Sequence, residues 1–300
     1  MNGVVVVIAA LGAGAFGCSD DGSSSGTGGA GATGGTGGAG GTGAVGGQEV
    51  SIEFAAKVGT EDFVCGQQYD NLGADDTSLV LSDFRFYVSG VELRNSDGDW
   101  VAVALDETNF QVEHVALLDF ENGCNSQSGN EPTNNRVTGT VPEGTYDSVR
   151  FGMGVPFDLN HNNPATAPPP LNLTTMQWNW QGGYKFLRID SGAFSMTDWR
   201  MHLGSTGCNG DPVSGGTTEC SAPNVVVADN LGPFDPDTGT VVADFAALVA
   251  GAPLDVNQMM TPVGCMTGPT DMDCAPLLEN LGLPFGGVPA PGAQSFFTAQ

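Results

Sequence analysis

The side chains best suited to hold a metal in this sequence are three histidines, His114, His161 and His202. Each lies on a different segment, and none forms an HxH or HExxH pair, so spacing alone defines no metal site. A lone histidine is more often structural. Thioether sulfur is also present, in Met153, Met176, Met196 and Met201. A site that combined imidazole with thioether would select copper over calcium, although methionine is also a common core residue.

Catalytic motifs are not apparent in the sequence. Ser205 lies in Gly204-Ser-Thr-Gly207, which is not a GxSxG nucleophile elbow, and no acidic residue and histidine follow it in the order that a hydrolase triad requires. Glycine-rich matches to nucleotide-binding motifs fall only in a low-complexity segment, where they carry no weight. Because the chain has 34 Asp and Glu residues, paired carboxylates are uninformative. We therefore expect a binding protein without catalysis of its own.

Calcium is the main alternative to a histidine site. The run Asn95-Ser-Asp-Gly-Asp99 resembles the first half of a calcium loop, but it lacks the glutamate that closes an EF-hand loop, and a hairpin turn is the simpler interpretation. Asp271-Met-Asp273 is equally ambiguous. The formal charge of −26 fits cation attraction or plain solubility. Only eight Lys and Arg are present, without a basic patch, which argues against nucleic acid as a partner.

Short β-branched or aromatic runs separated by turn residues must position these side chains. They predict an all-β fold, an antiparallel β-sandwich or barrel-like domain with long structured loops. The predicted strands are Val50–Phe54, Leu79–Leu93, Trp100–Leu105, Val137–Thr140, Ser148–Met153, Phe186–Ile189, Val225–Val227 and Val241–Phe245. Helix is scarce, with a turn or two expected at Phe245–Val249 and at Leu277–Leu281.

One long segment, residues 154–183, fits neither a strand nor a helix. It contains Pro168-Pro-Pro170 and Trp178-Asn-Trp180, and proline removes backbone donors and fixes the backbone. Long structured loops of this kind are often functional. We therefore look for the functional site in this loop.

The N-terminus predicts export. An uncharged run from Val4 to Leu11 leads to Ala15-Phe16-Gly17-Cys18, which resembles a bacterial lipoprotein signal at residues 1–17, with Cys18 as the lipidated residue. Ala15 stands where Leu is usual, and no Lys or Arg precedes the apolar run, so a secretory signal without lipidation is the alternative. The run is too short to span a membrane. Residues 18–47 are rich in Gly, Ser and Thr and predict a flexible tether, followed by a folded domain at 48–300.

The remaining cysteines fit an oxidising compartment. Six remain once Cys18 is set aside, and no CxxC unit is present, which argues for three disulfides rather than a zinc ribbon. Cys208 and Cys220 flank one short loop and Cys265 and Cys274 flank another, so local pairing is favoured and leaves Cys65 for Cys124. Six cysteines allow many other connectivities, so this pairing is a preference.

Several blocks in order along the chain resemble one known family. They are Phe63-Val-Cys-Gly66, Ser82–Ser89, Val115–Phe120, Gly154–Phe157 with Leu159-Asn-His161, Trp178–Phe186 and His202–Cys208. Together they resemble the metallo-mystery-pair four-Cys-motif proteins, the MbnP-like family that is related to the CorA-type copper-binding proteins of methanotrophs. The resemblance covers about residues 50–283, and the tail after Pro284 lies outside it.

This resemblance implies an exported copper-binding protein whose partner is a di-haem MauG-like protein of the cytochrome c peroxidase family. In the family, the partner oxidises a tryptophan to kynurenine, whose aryl amine and carbonyls can ligate where the indole N–H cannot. Carried over to this sequence, the ligands are His161 and His202. The oxidised residue is Trp178 or Trp180, and Met176 would share their face if the chain is extended there. His114 matches no ligand position.

The sequence thus predicts a lipid-anchored copper-binding protein, periplasmic or on the outer membrane or cell surface, that takes part in copper acquisition or handling. The alternative is a calcium-dependent or acidic surface adhesion module, suggested by the acidity and the tether.

Overall fold

The computed structural model describes residues 47–124, 129–179, 181–191, 198–211, 215–290 and 292–300. The predicted signal peptide, Cys18 and the tether up to residue 46 lie outside the described residues. So do Trp180 and Met196. Within the described ranges, no helix has the length and apolar character needed to cross a membrane.

Strands dominate the domain, as the sequence predicts. The strands are β1 (Gly47–Val58), β2 (Glu61–Asp62), β3 (Gln68–Leu72), β4 (Thr77–Asn95), β5 (Trp100–Ala102), β6 (Ala104–Leu105), β7 (Gln111–Val112), β8 (Val115–Asp119), β9 (Arg136–Pro142), β10 (Tyr146–Met153), β11 (Leu187–Ser191), β12 (Arg200–Leu203), β13 (Thr206–Asp211), β14 (Gly215–Ala222), β15 (Val226–Ala228), β16 (Thr240–Asp244) and β17 (Phe297–Ala299). The helices are α1 (Phe157–Asn160), α2 (Phe245–Leu248) and α3 (Ala275–Asn280), with 3-10 turns at Thr174–Met176 and Met272–Cys274.

Two sheets form the frame of the domain. One has the order β17-β16-β1-β9-β6, with β2 paired to β1. The other has the order β12-β11-β4-β10-β15, and β3, β5 and β8 also pair with β4. The pairings are antiparallel except that β1 and β16 run parallel. The long strand β4 therefore organises the larger sheet, and β11 and β12 at one edge carry the segment on which the candidate site is built.

Aromatic side chains fill the space between the two sheets. The ring of Phe54 on β1 lies 6.2 Å from that of Phe86 on β4 and 5.5 Å from that of Phe151 on β10. Such ring contacts join the inner faces of two packed sheets, as in a sandwich. Neither sheet closes on itself among the described strands. The all-β prediction is confirmed, and its sandwich form applies rather than the barrel.

The segment after Pro284 belongs to the core although the sequence predicted no element there. Strand β17 pairs with β16, and Phe297 packs its ring 5.1 Å from Phe151. Phe296 is fully buried. The strand was not predicted because the adjacent pair Phe296-Phe297 is its main apolar signal, and two residues are too few to show the alternation of a strand.

The structure confirms all three preferred disulfides. Cys65 pairs with Cys124 over a Cα–Cα distance of 5.9 Å, and Cys265 pairs with Cys274 over 4.9 Å. Cys208 and Cys220 stand directly opposite each other in the hairpin of β13 and β14, with Cα atoms 3.8 Å apart. This third bridge borders the candidate site.

Candidate metal centre

The loop of residues 154–183 lies against the outer face of the larger sheet. The Tyr87 hydroxyl on β4 donates to the Pro170 carbonyl over 3.2 Å, and Lys185 Nζ and Arg188 Nη1 both donate to the Thr175 carbonyl, over 2.8 and 3.0 Å. Buried polar groups thus fix a loop that cannot pair as a strand. The loop predicted to be functional is held at the sheet surface.

His161 follows the single turn of α1 and is oriented by its neighbour Asn160. Asn160 is buried, and its Oδ1 accepts the Tyr184 backbone N–H over 2.8 Å, which identifies Nδ2 as the donor end of the amide. That Nδ2 lies 3.2 Å from Ser205 Oγ and 3.2 Å from His161 Nε2. Because Nδ2 only donates, His161 Nε2 must carry a lone pair. This nitrogen is therefore in the form that binds a metal.

The same nitrogen also faces the third disulfide. His161 Nε2 lies 3.5 Å from Cys220 Sγ, and the ligand atoms of His161, Cys208 and Cys220 all lie within 4.8 Å of one another. His202 is not a member of this group. All three residues are partly exposed, so solvent reaches this side of the hairpin.

Trp178 lies near Cys208, and the two residues line the same cleft. Its indole covers Gly204, where an added Cβ would come within 2.5 Å of Trp178 Cζ3 and 2.8 Å of the Tyr184 carbonyl oxygen. Only glycine fits this contact. The indole also lines an open cleft of about 450 Å³ together with Gln181, Cys208 and Met266. The tryptophan is thus packed on one face and accessible on the other.

His202 lies on β12 opposite Arg188 of β11, and its side chain is 6% exposed. Its Nε2 lies 2.7 Å from Asp190 Oδ1, whereas its buried Nδ1 has no hydrogen-bond partner among the described residues. Burial lowers the pKa of His202 and outweighs the opposing effect of the Asp190 carboxylate. A neutral ring that donates from Nε2 carries its lone pair on Nδ1. His202 therefore presents an unpaired, carboxylate-oriented ligand atom.

A buried ionic network stands behind His202. Arg188 donates to Asp190 from Nη2 over 2.6 Å and approaches Asp83 from Nε over 3.2 Å. Asp83 in turn pairs with Arg85, and both are fully buried. Burial alone would raise the pKa of Asp190, but the hydrogen bond with His202 and the charge of Arg188 outweigh it and hold the pKa below its usual range. The carboxylate that orients His202 therefore stays ionised.

Three of the predicted site residues converge on the segment of residues 202–208. His202 begins this segment, and Trp178 packs on Gly204, which in an extended chain faces the same side as His202 because it lies two residues later. His161 lies beside this segment, because its neighbour Asn160 donates to Ser205 and its own ligand atom lies within 4.8 Å of the sulfurs of Cys208 and Cys220. Residues from three separate parts of the sequence thus meet along residues 202–208, which join β12 to β13.

The other candidates lie elsewhere or outside the described residues. Met176 ends a 3-10 turn and is fully buried in the core, so the extended geometry that would place it on the face of Trp178 does not hold at this residue. Met153 and Met201 are also core residues. His114 lies between β7 and β8, where its carbonyl accepts the Gly90 N–H over 3.1 Å. Trp180 lies outside the described residues.

Sequence reasoning missed Asn160, Asp190 and Met266 as members of this neighbourhood. Asp190 had a signal, because Arg188-Ile-Asp190 places two charges at alternate positions of an otherwise apolar strand. Asn160 was recognised only as part of the Leu-Asn-His block. Met266 had no signal in the sequence, since it reaches the cleft through the fold around the Cys265–Cys274 bridge.

The run from Asn95 to Asp99 forms the turn between β4 and β5. Asn95 Oδ1 accepts the backbone N–H groups of Asp97 and Asp99, over 3.0 and 2.9 Å. A side-chain oxygen that closes a turn in this way is the usual role of asparagine at such positions. The hairpin interpretation is confirmed for this run. Asp271 similarly accepts the Asp273 N–H at the start of a 3-10 turn.

Comparison with known proteins agrees with this architecture. The sequence model of the MbnP family matches residues 47–267. The chain belongs to the MbnP family. Among solved structures, MbnP from Methylosinus trichosporium superimposes with a TM-score of 0.72 at 30% sequence identity, covering 85% of this chain and 99% of that chain. No curated protein matches the chain. The resemblance seen in the sequence blocks is thereby confirmed at the level of the family.

Proposed function

We propose that this chain is an exported, lipid-anchored copper-binding protein that acts in copper acquisition or handling, and that His202, His161 and an oxidised Trp178 hold the metal. Membership of the MbnP family supports the copper-handling role. Cys18 anchors the protein to a membrane of the periplasm or cell surface, and residues 18–47 tether the domain to it. The protein performs no catalysis of its own.

The orphaned Nδ1 of His202 is the observation that carries this proposal. A buried nitrogen without a hydrogen-bond partner lowers the stability of the fold by about 1–3 kcal/mol. A metal bound to this nitrogen would remove that cost. The Asp190–His202 pair is the arrangement that orients metal-binding histidines. His161 Nε2 adds a second imidazole lone pair close to the same strand. Imidazole binds several metals, including copper. Membership of the MbnP family is the reason to propose copper rather than another of these metals.

Trp178 is the preferred oxidation site because of where its indole lies. One face packs on Gly204 beside the histidine strand, and the other lines the open cleft where a protein oxidant can approach. Trp199, by contrast, is 3% exposed and packs on Phe245. Trp100 is covered by the Arg150 guanidinium, 4.3 Å from the ring centroid. Trp180 stays a second candidate from the sequence.

The oxidation adds two oxygen atoms across the C2–C3 bond of the indole, which breaks, and water then removes the formyl group as formate. Two molecules of hydrogen peroxide are the oxidant. With the di-haem MauG-like partner as catalyst, each adds the equivalent of one oxygen atom to the indole, takes two electrons from it and leaves as water. The product carries an aryl amine and a ketone in place of the indole N–H, so a packing residue becomes able to ligate. The cleft beside Trp178 supplies the access that this step needs.

Copper binding by single-site variants tests the proposal. His202→Ala and His161→Ala are each expected to lower the copper content of the purified protein below half of the wild-type value, because each removes an imidazole ligand. His114→Ala, outside the site, is the matched control and should retain full copper. Wild-type copper content in both the His202 and the His161 variants, with native circular dichroism, would contradict the assigned ligands.

A calcium-dependent adhesion module stays the alternative function. Thermal stability measured with and without calcium separates the two, because a ligand that binds only the folded state raises the melting temperature. The copper proposal expects no calcium response. A rise in melting temperature with calcium, together with no copper binding, would replace it with the adhesion function.

A further inference from the structure

The Cys208–Cys220 bridge and His161 form a group whose chemistry depends on the redox state of the sulfurs. We propose that two-electron reduction of this disulfide creates a second metal site, in which the two thiolates and His161 bind a soft cation such as Cu(I) or Zn2+. The three ligand atoms already lie within 4.8 Å of one another, and Cys220 Sγ lies 3.5 Å from His161 Nε2. The site shares His161 with the proposed copper site, but it requires neither His202 nor Trp178.

The hairpin would hold the two thiols together after reduction. Gln181 Nε2 donates to the carbonyls of Cys208 and Gly210, over 2.7 and 3.1 Å, and Asn209 donates to Glu219 across the strands over 2.8 Å. The pairing of Cys208 with Cys220 continues through Thr206 and Ala222. A site whose ligands are held in place before binding avoids much of the entropy cost of assembling it.

His161 presents the required lone pair to this pair of sulfurs. Asn160 fixes Nε2 as the unprotonated nitrogen, because its own amide is oriented by the Tyr184 N–H. In the disulfide state Cys220 Sγ has no proton to offer this nitrogen. Thiolate is the form of cysteine that binds metals.

The chemistry balances with a dithiol as the reductant. The dithiol gives two electrons and two protons to the Cys208–Cys220 bridge and is itself oxidised to a disulfide, which leaves two thiols in the hairpin. The cation then displaces a proton from each thiol and adds the Nε2 lone pair. Two sulfurs and one imidazole nitrogen are a soft donor set, and the cleft beside Cys208 leaves a further position open.

The other two bridges lack one part of this arrangement. Cys65 and Cys124 lie near Glu121, but that carboxylate is a hard donor and already accepts the N–H groups of Gly123 and Asn130, over 2.7 and 2.6 Å. Cys265 and Cys274 are fully buried, and no metal-ligating group forms around them among the described residues. Within the part of the chain that the structure describes, only the Cys208–Cys220 pair combines partial exposure with a nearby imidazole.

Anaerobic titration with Co2+ and Zn2+ tests the site. The mature protein is reduced with a phosphine, the reductant is removed, and the oxidised protein is titrated in parallel. The reduced protein is expected to bind Co2+ near stoichiometrically, with a sulfur-to-cobalt charge-transfer band that Zn2+ abolishes, and the oxidised protein is expected to show none. Loss of a residue that only orients a metal ligand typically weakens binding by about 10- to 100-fold. His161→Ala removes a ligand itself, so we expect it to weaken Co2+ binding by at least that factor.

Paired variants separate this site from the copper site. Cys208→Ser with Cys220→Ser should abolish the band, whereas His202→Ala and Cys65→Ser with Cys124→Ser should retain it. A band that survives loss of Cys208 and Cys220 would overturn the proposal. So would loss of native circular dichroism on reduction of the Cys65→Ser, Cys124→Ser variant, in which Cys208–Cys220 is the remaining partly exposed bridge, since the site needs a folded hairpin. Failure of copper to bind at His202 leaves these outcomes unchanged.

Discussion

The two faces of strand β4 bury different chemistry. Phe84 and Phe86 point into the sandwich, where Phe86 packs its ring 5.5 Å from Phe297. Asp83 and Arg85 point to the other face, where they are equally buried but ionised and paired. Burial of aromatic rings stabilises the fold directly, whereas a buried ion pair adds little net stability over an apolar pair of similar size.

The difference suggests that the two faces have separate roles. The aromatic face holds the sheets together, and the ionic face supports the loop and strand that carry the candidate metal ligands. Its chain of contacts runs from Arg85 and Asp83 through Arg188 and Asp190 to His202. If this division is correct, mutations on the first face change stability, and mutations on the second change metal binding.

Truncation on the aromatic face gives the largest expected effect on stability. Phe86→Ala removes a fully buried ring from the centre of the sandwich and should lower the free energy of unfolding by about 3–5 kcal/mol. Chemical denaturation followed by circular dichroism measures it. The fraction of the Phe86→Ala protein that remains folded should bind copper with wild-type affinity. A large loss of copper affinity in that folded fraction would contradict the division of roles.

On the ionic face, Asp190→Asn should weaken copper binding by about 10- to 100-fold, because the neutral amide no longer orients and polarises the His202 ring as a carboxylate does. Competition with a copper chelator measures the affinity. Asp198→Asn, which breaks only an exposed pair with Arg200, is the control and should leave the affinity unchanged. Equal copper affinities in the two variants would show that Asp190 does not orient a copper ligand.

The packing of Trp178 can be disturbed by a single methyl group. Gly204→Ala places a Cβ within 2.5 Å of the indole and should cost about 1–3 kcal/mol while displacing Trp178, seen as a change in tryptophan fluorescence. Gly144→Ala is the matched control, since its Cβ would approach nothing closer than 3.9 Å. An unchanged emission spectrum for Gly204→Ala would show that the indole does not rest on this strand.

The ionic face should also make stability depend on pH. Burial, aided by the charge of Arg188, lowers the pKa of Lys185 from 10.5 to about 8. Between these values the unfolded chain binds more protons, so stability should rise from pH 8 to pH 10, by about 1–2 kcal/mol. Denaturation across this range measures the rise. Lys185→Met should remove it, and a rise that persists in this variant would assign it to another group.

Sequence alone predicted most of the frame but not its polar side. Strands such as Leu79–Leu93 and Val137–Thr140 were found because β-branched and aromatic residues mark them, and the structure extends each by a few residues. Strand β12 was missed because Arg200-Met-His-Leu203 has too little pattern for a strand. It forms only because β11 pairs with it, and such long-range pairing leaves no local signal.

The candidate site was predicted in part. The sequence named His161, His202 and Trp178, whose neighbourhoods the fold brings to residues 202–208. It also named Met176, which the fold places in the core. The positioning groups Asn160 and Asp190 were not named, because their roles arise from contacts across more than ten residues of sequence. Family resemblance supplied the candidate ligands, which stay predictions, and the structure supplies the contacts that would orient them.

The most direct test of the central claim is the covalent and metal state of the protein isolated from its native cells. Peptide mapping by mass spectrometry, with copper analysis of the same sample, reports both. We expect kynurenine at Trp178, together with near-stoichiometric copper that the His202→Ala variant fails to retain. Unmodified tryptophans and no copper, in cells that produce the di-haem partner, would contradict it.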